Sequence, residues 1–313
     1  MKPAKLLLGT LGAYFVFTLV GTSFTACSKT QTVHDTTYQT IVDTNYVTVK
    51  DTIIVNDTVI VVDTLFDPNN GLVAYFNFTG GNLNDSSGYG NNINFSNATL
   101  TSDRFGNPDN AYYFNGTSTY MTVPNSASLN PGSGITLFAI VKPQGFYEGS
   151  CHGNQVIFKG YASSVQGYYD LGFYPANNGV GSCALSIDTT KEVFQASYGD
   201  DIPVGSNAGS EDTSGPYIQE NQWYTVAFTY DGTTANFYID GQLVNSQVYS
   251  GIAFTPNMDD LYLGATPNPP DPYWLNGVID EIRIYNQAVP QKDLGYLSLL
   301  RNKYLKVKNK LIY

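Results

Sequence analysis

The chain has 313 residues, a formal net charge of −11, 14% aromatic and only 13% charged side chains. With 30 Gly, 25 Tyr and few long aliphatic helix formers, this is a β-rich, turn-rich composition and not that of a cytosolic α/β enzyme. The acidity argues against a nucleic-acid partner, whose phosphates it would repel.

Residues 1–26 have the layout of a signal peptide. Lys2 and Lys5 precede an apolar run over residues 6–20, which is too short for a stable membrane span. Small residues at 25 and 26 suit a peptidase pocket, and Phe24-Thr25-Ala26-Cys27 resembles a bacterial lipobox with Phe in place of the usual Leu. The resemblance implies cleavage before Cys27 and a lipid on its sulfur. With Ser28 next, it implies the outer membrane, on its periplasmic or cell-surface side. An ordinary secretory signal with an incidental Cys is the alternative. Three Cys is an odd count for an exported chain. If Cys27 carries lipid, Cys151 and Cys183 remain to pair in an oxidising compartment, adding on the order of 3 kcal/mol. The alternative is two free thiols. Zinc needs more ligands than the nearby His152 supplies.

Residues 27–66 form a stalk. Asp-Thr recurs at 35, 43, 51, 57 and 63, and the even spacing puts all five Asp on one face of an extended chain. β-Branched residues favour extension, and no chain-reversing turn is expected, so the stalk reaches roughly 130 Å. It is read first as a spacer. Asp-Thr followed by Thr37, Ile53, Val59 or Leu65 resembles a bacterial O-glycosylation motif, which implies sugars on Thr36, Thr52, Thr58 and Thr64. Pairing of the strand-like repeat between copies is a third reading.

Asp67-Pro68-Asn69-Asn70-Gly71 is turn chemistry and opens a domain over residues 67–298. Strand patterns then recur every 8–12 residues between Gly, Asn, Asp and Pro, the layout of a sandwich. Residues 144–220, rich in Tyr, Gly, Ser and Asn, are expected to be long loops between short strands such as 155–158 and 168–173. In the segment 221–241, Tyr224, Val226, Phe228 and Tyr230 alternate with smaller residues, Asp231-Gly232 supplies a hairpin turn, and Ala235, Phe237 and Ile239 form a second apolar face ending at Asp240-Gly241. The tail from Gln291 suggests a short helix, and residues 299–313 are basic.

The string NQWYTVAFTYDG…FYIDGQLV resembles the central hairpin of laminin-G-like (concanavalin A-like lectin/glucanase) domains of bacterial surface proteins. GLVAYFNFTGGNLNDSSGYGNN (71–92), AYYFNGTSTYMTVPNSASLNPGSGITLFAIVKP (111–143) and LYLGA…YWLNGVIDEIRIYNQAV (261–289) follow in the family's order. The resemblance implies an all-β jelly roll of two antiparallel sheets. It also implies a structural Ca²⁺ at Asp85 and Asp280, with the backbone around Asn115-Gly116. Calcium takes six to eight hard oxygens, which carboxylates and carbonyls provide. Asn115 stands where Asp is common in the family. Asp85 is alternatively a turn-forming residue, and Asp280 a partner of Arg283.

Sugar recognition needs aromatic faces beside amides and carboxylates. Tyr147, Tyr168, Tyr169, Tyr217, Tyr273 and Trp274, with Tyr161 and Tyr174, lie in or near suitable loops. Glucanases of this fold carry an E-x-D-x-(x)-E strand whose alternation groups the carboxylates. The five Glu here, at 148, 192, 211, 220 and 281, do not form it, and no G-x-S-x-G elbow supports His152. The expectation is a lipid-anchored, non-catalytic carbohydrate-binding protein. A structural or adhesive protein that binds another protein is the second reading, and a glycoside hydrolase the third.

Overall fold

The computed structural model describes residues 67–147, 153–160, 168–175, 192–199, 217–249, 254–266 and 272–297, with the backbone of 52–55, 58–61 and 202–205. The chain divides into two units, Met1–Asp67 and Pro68–Tyr313.

In the first unit, β1 (Thr52–Val55) pairs antiparallel with β2 (Thr58–Val61). The expectation of a stalk without a chain reversal is therefore corrected. β-Branched residues fill both arms.

The second unit starts with β3 (Leu72–Phe76), β4 (Phe95–Ser96), β5 (Thr99–Thr101), β6 (Ala111–Asn115), β7 (Met121–Val123) and β8 (Ile135–Pro143). It continues with β9 (Asn154–Lys159), β10 (Tyr168–Pro175), β11 (Glu192–Gly199) and β12 (Ile202–Gly205). It closes with β13 (Tyr224–Tyr230), β14 (Thr234–Ile239), β15 (Gln242–Val248), β16 (Leu261–Leu263) and β17 (Asn276–Tyr285), then a short helix over residues 291–297. Residues 144–220 carry the two expected strands, β9 and β10, and two more, β11 and β12. Glu192–Gly199 escapes sequence reading because Glu192 occupies a core-side position at its start, and Ile202–Gly205 because a four-residue stretch with Pro and Gly reads as turn chemistry.

Two antiparallel sheets result, the jelly-roll sandwich that the sequence implies. One runs β12-β11-β10-β9-β16-β7-β4 and the other β15-β14-β13-β8-β17-β6-β5. β17 organises the second sheet. One edge pairs with β8, while the other pairs with β6 over Asn276–Ile279 and with β3 over Ile282–Tyr285. The central hairpin forms as expected, with Phe228 opposite Phe237 and its far turn built on Asp240 (φ 50°) and Gly241 (φ 75°). Both residues have the positive φ of a tight hairpin.

The core lies between the sheets. Ile135, Leu137, Ala139 and Val141 from β8 meet Tyr169, Leu171 and Phe173 from β10, with Val226 and Phe228 from β13. Each fully buried large apolar side chain contributes about 1.5–3 kcal/mol, and the shared core fixes the strand registers that position the outer faces.

Candidate functional site

The outward face of the seven-stranded sheet carries the most distinctive chemistry. Alternation decides which residues reach it. In β10, Tyr169, Leu171 and Phe173 enter the core, which leaves Asp170 and Tyr174 turned outward. In β11, Phe194, Ala196 and Tyr198 enter and Ser197 is left outward; in β16, Leu261 and Leu263 flank an outward Tyr262; in β7, Met121 and Val123 flank Thr122. The registers then align one row across six strands: Phe95, Thr122, Tyr262, Phe158, Asp170 and Ser197. At ~4.8 Å per strand, Tyr262 stands about 10 Å and Phe95 about 19 Å from Asp170 along this row.

One end is polar and enclosed. Gln155 donates both amide protons, to Asp170 Oδ2 at 2.9 Å and to Tyr174 Oη at 2.5 Å. Gln155 Oε1 and Asp170 Oδ1 are buried and, among the described residues, have no hydrogen-bond partner. Burial pushes the pKa of Asp170 up, with hydrogen bonds from Gln155 and Ser197 opposing the shift, and burial raises the Tyr174 phenol strongly. A bulge makes this arrangement possible: Leu171 faces Ile157 but Gly172 faces Gln155, so Val156 is the extra residue. A Cβ on Gly172 would lie 2.5 Å from the Asn154 carbonyl and 2.8 Å from Gln155 Oε1. Only glycine lets the Gln155 amide lie over this strand.

The other end is aromatic and open. Tyr120 stands between Phe95, Trp274 and Tyr262, with ring centroids 4.9, 5.9 and 6.0 Å away. Phe95 is 43% exposed, and the other three rings are partly exposed. Asn97 accepts the Tyr120 N–H at 2.8 Å and donates to the Ser118 carbonyl at 3.0 Å, which fixes the approach to β7. Trp274 follows Tyr273, whose φ is 43°, an uncommon left-handed value for a bulky residue. The Tyr273 carbonyl accepts the Gln155 N–H at 2.9 Å, and its ring meets Tyr174 edge-on at 6.2 Å. The strained residue thus links the polar and aromatic ends.

Of the expected ligand residues, Tyr168, Tyr273 and Trp274 lie on or beside this face. Tyr168 sits 6.4 Å from the Phe158 ring. Tyr147 is half-buried, and its backbone N–H is held by Asn154 at 2.8 Å. Tyr217 is half-buried ahead of Ile218, whose N–H bonds the Glu192 carbonyl. Tyr169 is corrected. It faces the core with no exposure, stacks on Phe254, and donates to the Leu129 carbonyl at 3.1 Å. Tyr161, Cys27, Cys151, Cys183, Thr36 and Thr64 lie outside the described residues, and Thr52 and Thr58 are described only by backbone. Sequence reading missed Phe95, Tyr120, Gln155, Asp170 and Tyr262.

The residues expected to hold calcium make protein contacts. Asp85 accepts from the Tyr75 and Ser87 N–H groups at 2.9 and 2.8 Å, from the Ser87 hydroxyl, and from the Asn91 N–H. Asn115 Oδ1 accepts from the N–H groups of Thr117, Ser118 and Thr119, and Gly116 turns the chain with φ 72°. Asp280 is fully buried and bonds Arg104 at 2.6 Å. Arg283, its alternative partner in the sequence reading, instead bonds Glu281 at 2.6 Å, beside the bulge between Ile279 and Glu281. Among the described residues, no group of three or more His, Cys, Asp or Glu is placed to hold a metal.

An all-β sandwich with an aromatic and polar outer sheet face is the architecture of a jelly-roll domain. The sequence profile of the concanavalin A-like lectin/glucanases superfamily matches residues 115–295, and the chain belongs to that family. Among solved structures, it is similar to domain 4 of AbnA, a GH43 extracellular arabinanase from Geobacillus stearothermophilus in complex with arabinotriose. The identity there is 21%, over 72% of this chain and 97% of that one, with a TM-score of 0.45. The binding domain of Paraclostridial Mosquitocidal Protein 1 aligns at 15% identity over 73% of this chain and 52% of that one, TM-score 0.52. The receptor binding domain of botulinum neurotoxin D aligns at 13% over 74% and 54%, TM-score 0.51. This chain spans about half the length of the two toxin domains, and at these identities the likeness is one of fold. No curated protein matches it.

Proposed function

We propose that the chain is an extracytoplasmic carbohydrate-binding protein without catalytic activity, held at the outer membrane by a lipid on Cys27. The observation that carries the binding reading is the open aromatic cluster around Tyr120, set on the same face as the Gln155–Asp170–Tyr174 group. Aromatic rings cover the apolar C–H faces of sugars, while amide and carboxyl oxygens accept from hydroxyls. Membership of a superfamily of lectins and glucanases agrees with it, although a fold alone does not fix a function.

The non-catalytic part rests on the carboxyl groups. Glycoside hydrolysis by the usual route uses a pair roughly 5–10 Å apart. In the strands of the seven-stranded sheet the acids are Asp170 and Glu192. Glu192 shares the alternation of the core-facing Phe194 and Ala196, so Asp170 stands on the outer face without a second acid from these strands. Calcium at Asp85, Asn115, Gly116 and Asp280, a Cys151–Cys183 bridge, and sugars on the stalk threonines complete the proposal. In this layout residues 1–26 are removed, 27–66 form the spacer and 67–298 bind.

A glycan-array screen, run with calcium and again with EDTA, tests the reading. Binding of a defined sugar that is reduced at least tenfold by Tyr120→Ala is the expected result. Absence of binding in both buffers, with a cooperative melt, would favour the adhesive reading in its place.

A further inference from the structure

We infer that the glycan this face accepts is uncharged and hydroxyl-rich, and that sugars bearing carboxylate or sulfate groups are excluded. This rests on the carbohydrate-binding reading and names the ligand class for the same face.

The first observation is where the cations are. The strands of the seven-stranded sheet contain one basic residue, Lys159. Its register places it opposite core-facing Leu261 and Tyr169. Its side chain is fully buried, and its ammonium donates to Asn257 Oδ1 at 2.7 Å and to Asn130 Oδ1 at 3.4 Å. Among the described residues, the one cation in these strands is therefore turned away from the outer face. An anionic sugar laid on these strands would lose water and gain no positive partner from them, an outcome that favours rejection.

The second observation is the sign of the remaining groups. Asp259 and Asp260, in the segment that leads into β16, raise the Tyr262 phenol's pKa after burial, which does so most. Standing three and two residues before Tyr262 in the chain, they bring carboxyl groups and no cation of their own to the open aromatic end. At the polar end, both Gln155 N–H bonds are already used, so its unpartnered atom is an oxygen, as is the unpartnered atom of Asp170. These oxygens are matched by donors, which sugar hydroxyls are and sugar carboxylates are not. Whether Asp170 is ionised or neutral, it offers an anion no positive charge. An unpaired charge is one of the ways a surface discriminates against a wrong ligand.

The test titrates the full chain, in EDTA and at low ionic strength, with two sets of oligosaccharides matched in length. One set is neutral, made of glucose, galactose, mannose, xylose or arabinose. The other is acidic, oligogalacturonate and hyaluronan fragments. The tightest neutral ligand is expected to bind at least tenfold better than the tightest acidic one. Asp259→Asn combined with Asp260→Asn, checked by its melt, should narrow that ratio about threefold at low salt and much less at ~0.5 M salt, where screening is strong. An acidic ligand that binds as well as every neutral one overturns the charge selection and leaves the lectin reading standing. Failure of both sets overturns the lectin reading and this inference with it.

Discussion

The two sheets share one core and treat the polar groups outside it in opposite ways. On the eight-stranded sheet, Glu281 bonds Arg283 at 2.6 Å, the Arg283 guanidinium lies 4.0 Å from the Tyr75 ring centre, and Asp280 bonds Arg104 at 2.6 Å. Each of these carboxylates has an arginine. On the seven-stranded sheet, Gln155 and Asp170 bond each other and each keeps one buried oxygen without a partner. Paired charges lock strands and a loop together. Unpartnered acceptors retain capacity for a ligand, and buried polar groups without partners concentrate at functional sites.

The largest effect expected at a fixed pH comes from breaking the paired side. Asp280→Ala leaves the Arg104 guanidinium, only 10% exposed, without its closest carboxylate. Losing one member of a buried pair costs about 3–5 kcal/mol. Urea unfolding should show that loss, softened by Glu281 Oε2 at 3.9 Å. Asp170→Asn on the other sheet retains an acceptor for Gln155 and is expected to cost under about 1 kcal/mol. Equal losses at the two sites would erase the distinction between the faces.

Glu192 comes next. It sits on the core side of β11, fully buried, with neither carboxyl oxygen hydrogen-bonded among the described residues, and burial pushes its pKa up to about 9. An acid whose pKa rises on folding binds more protons folded than unfolded. Its contribution is therefore complete below about pH 4.5 and is lost as pH rises toward 9, at about 1.4 kcal/mol per pH unit. Denaturant curves from pH 5 to 9 should show this slope in the parent chain and not in Glu192→Gln. Parallel curves for the two would mean that the carboxyl is already ionised in the fold.

These contrasts also mark what the sequence made legible. The central hairpin was readable because Asp231-Gly232 supplies its turn and apolar alternation supplies its faces. Tyr120 and Tyr262 were readable too, as single aromatics flanked by core residues at period two, but attention to loops passed over strand positions. The Arg104–Asp280 pair was not readable, because 176 residues separate its members and only the register of β17 brings them together. The Gln155–Asp170 contact depends on one extra residue at Val156, and a bulge leaves no mark in residue pattern. Tyr168 and Tyr169 looked alike in sequence, yet strand alternation sends one outward and one into the core.

On the aromatic side, Tyr120→Ala removes the ring that touches Phe95, Tyr262 and Trp274. Because these rings are partly exposed, stability should change by less than about 1 kcal/mol, while glycan affinity falls about tenfold. A variant that loses stability and keeps affinity would make the cluster a structural cover for the sheet.

The smallest effect is expected at Lys159, where the two arrangements meet. Its ammonium is buried but held by two amide oxygens, and burial lowers its pKa to about 8, with Asp259 and Asp260 opposing the shift. Both acceptors keep other donors if the lysine is lost, since Asn130 Oδ1 also takes the Asn257 N–H and Asn257 Oδ1 the Asp259 N–H. Lys159→Met should therefore change stability at pH 7 by less than about 1 kcal/mol, because the desolvation it relieves offsets the bonds it removes. A base whose pKa falls on folding binds fewer protons folded than unfolded, so the parent chain should gain stability between about pH 8 and 10.5. That gain should vanish in the methionine variant. Its persistence would place the alkaline titration on another group. A large loss at pH 7 would make Lys159 a required link between β9 and the Asn130 and Asn257 loops.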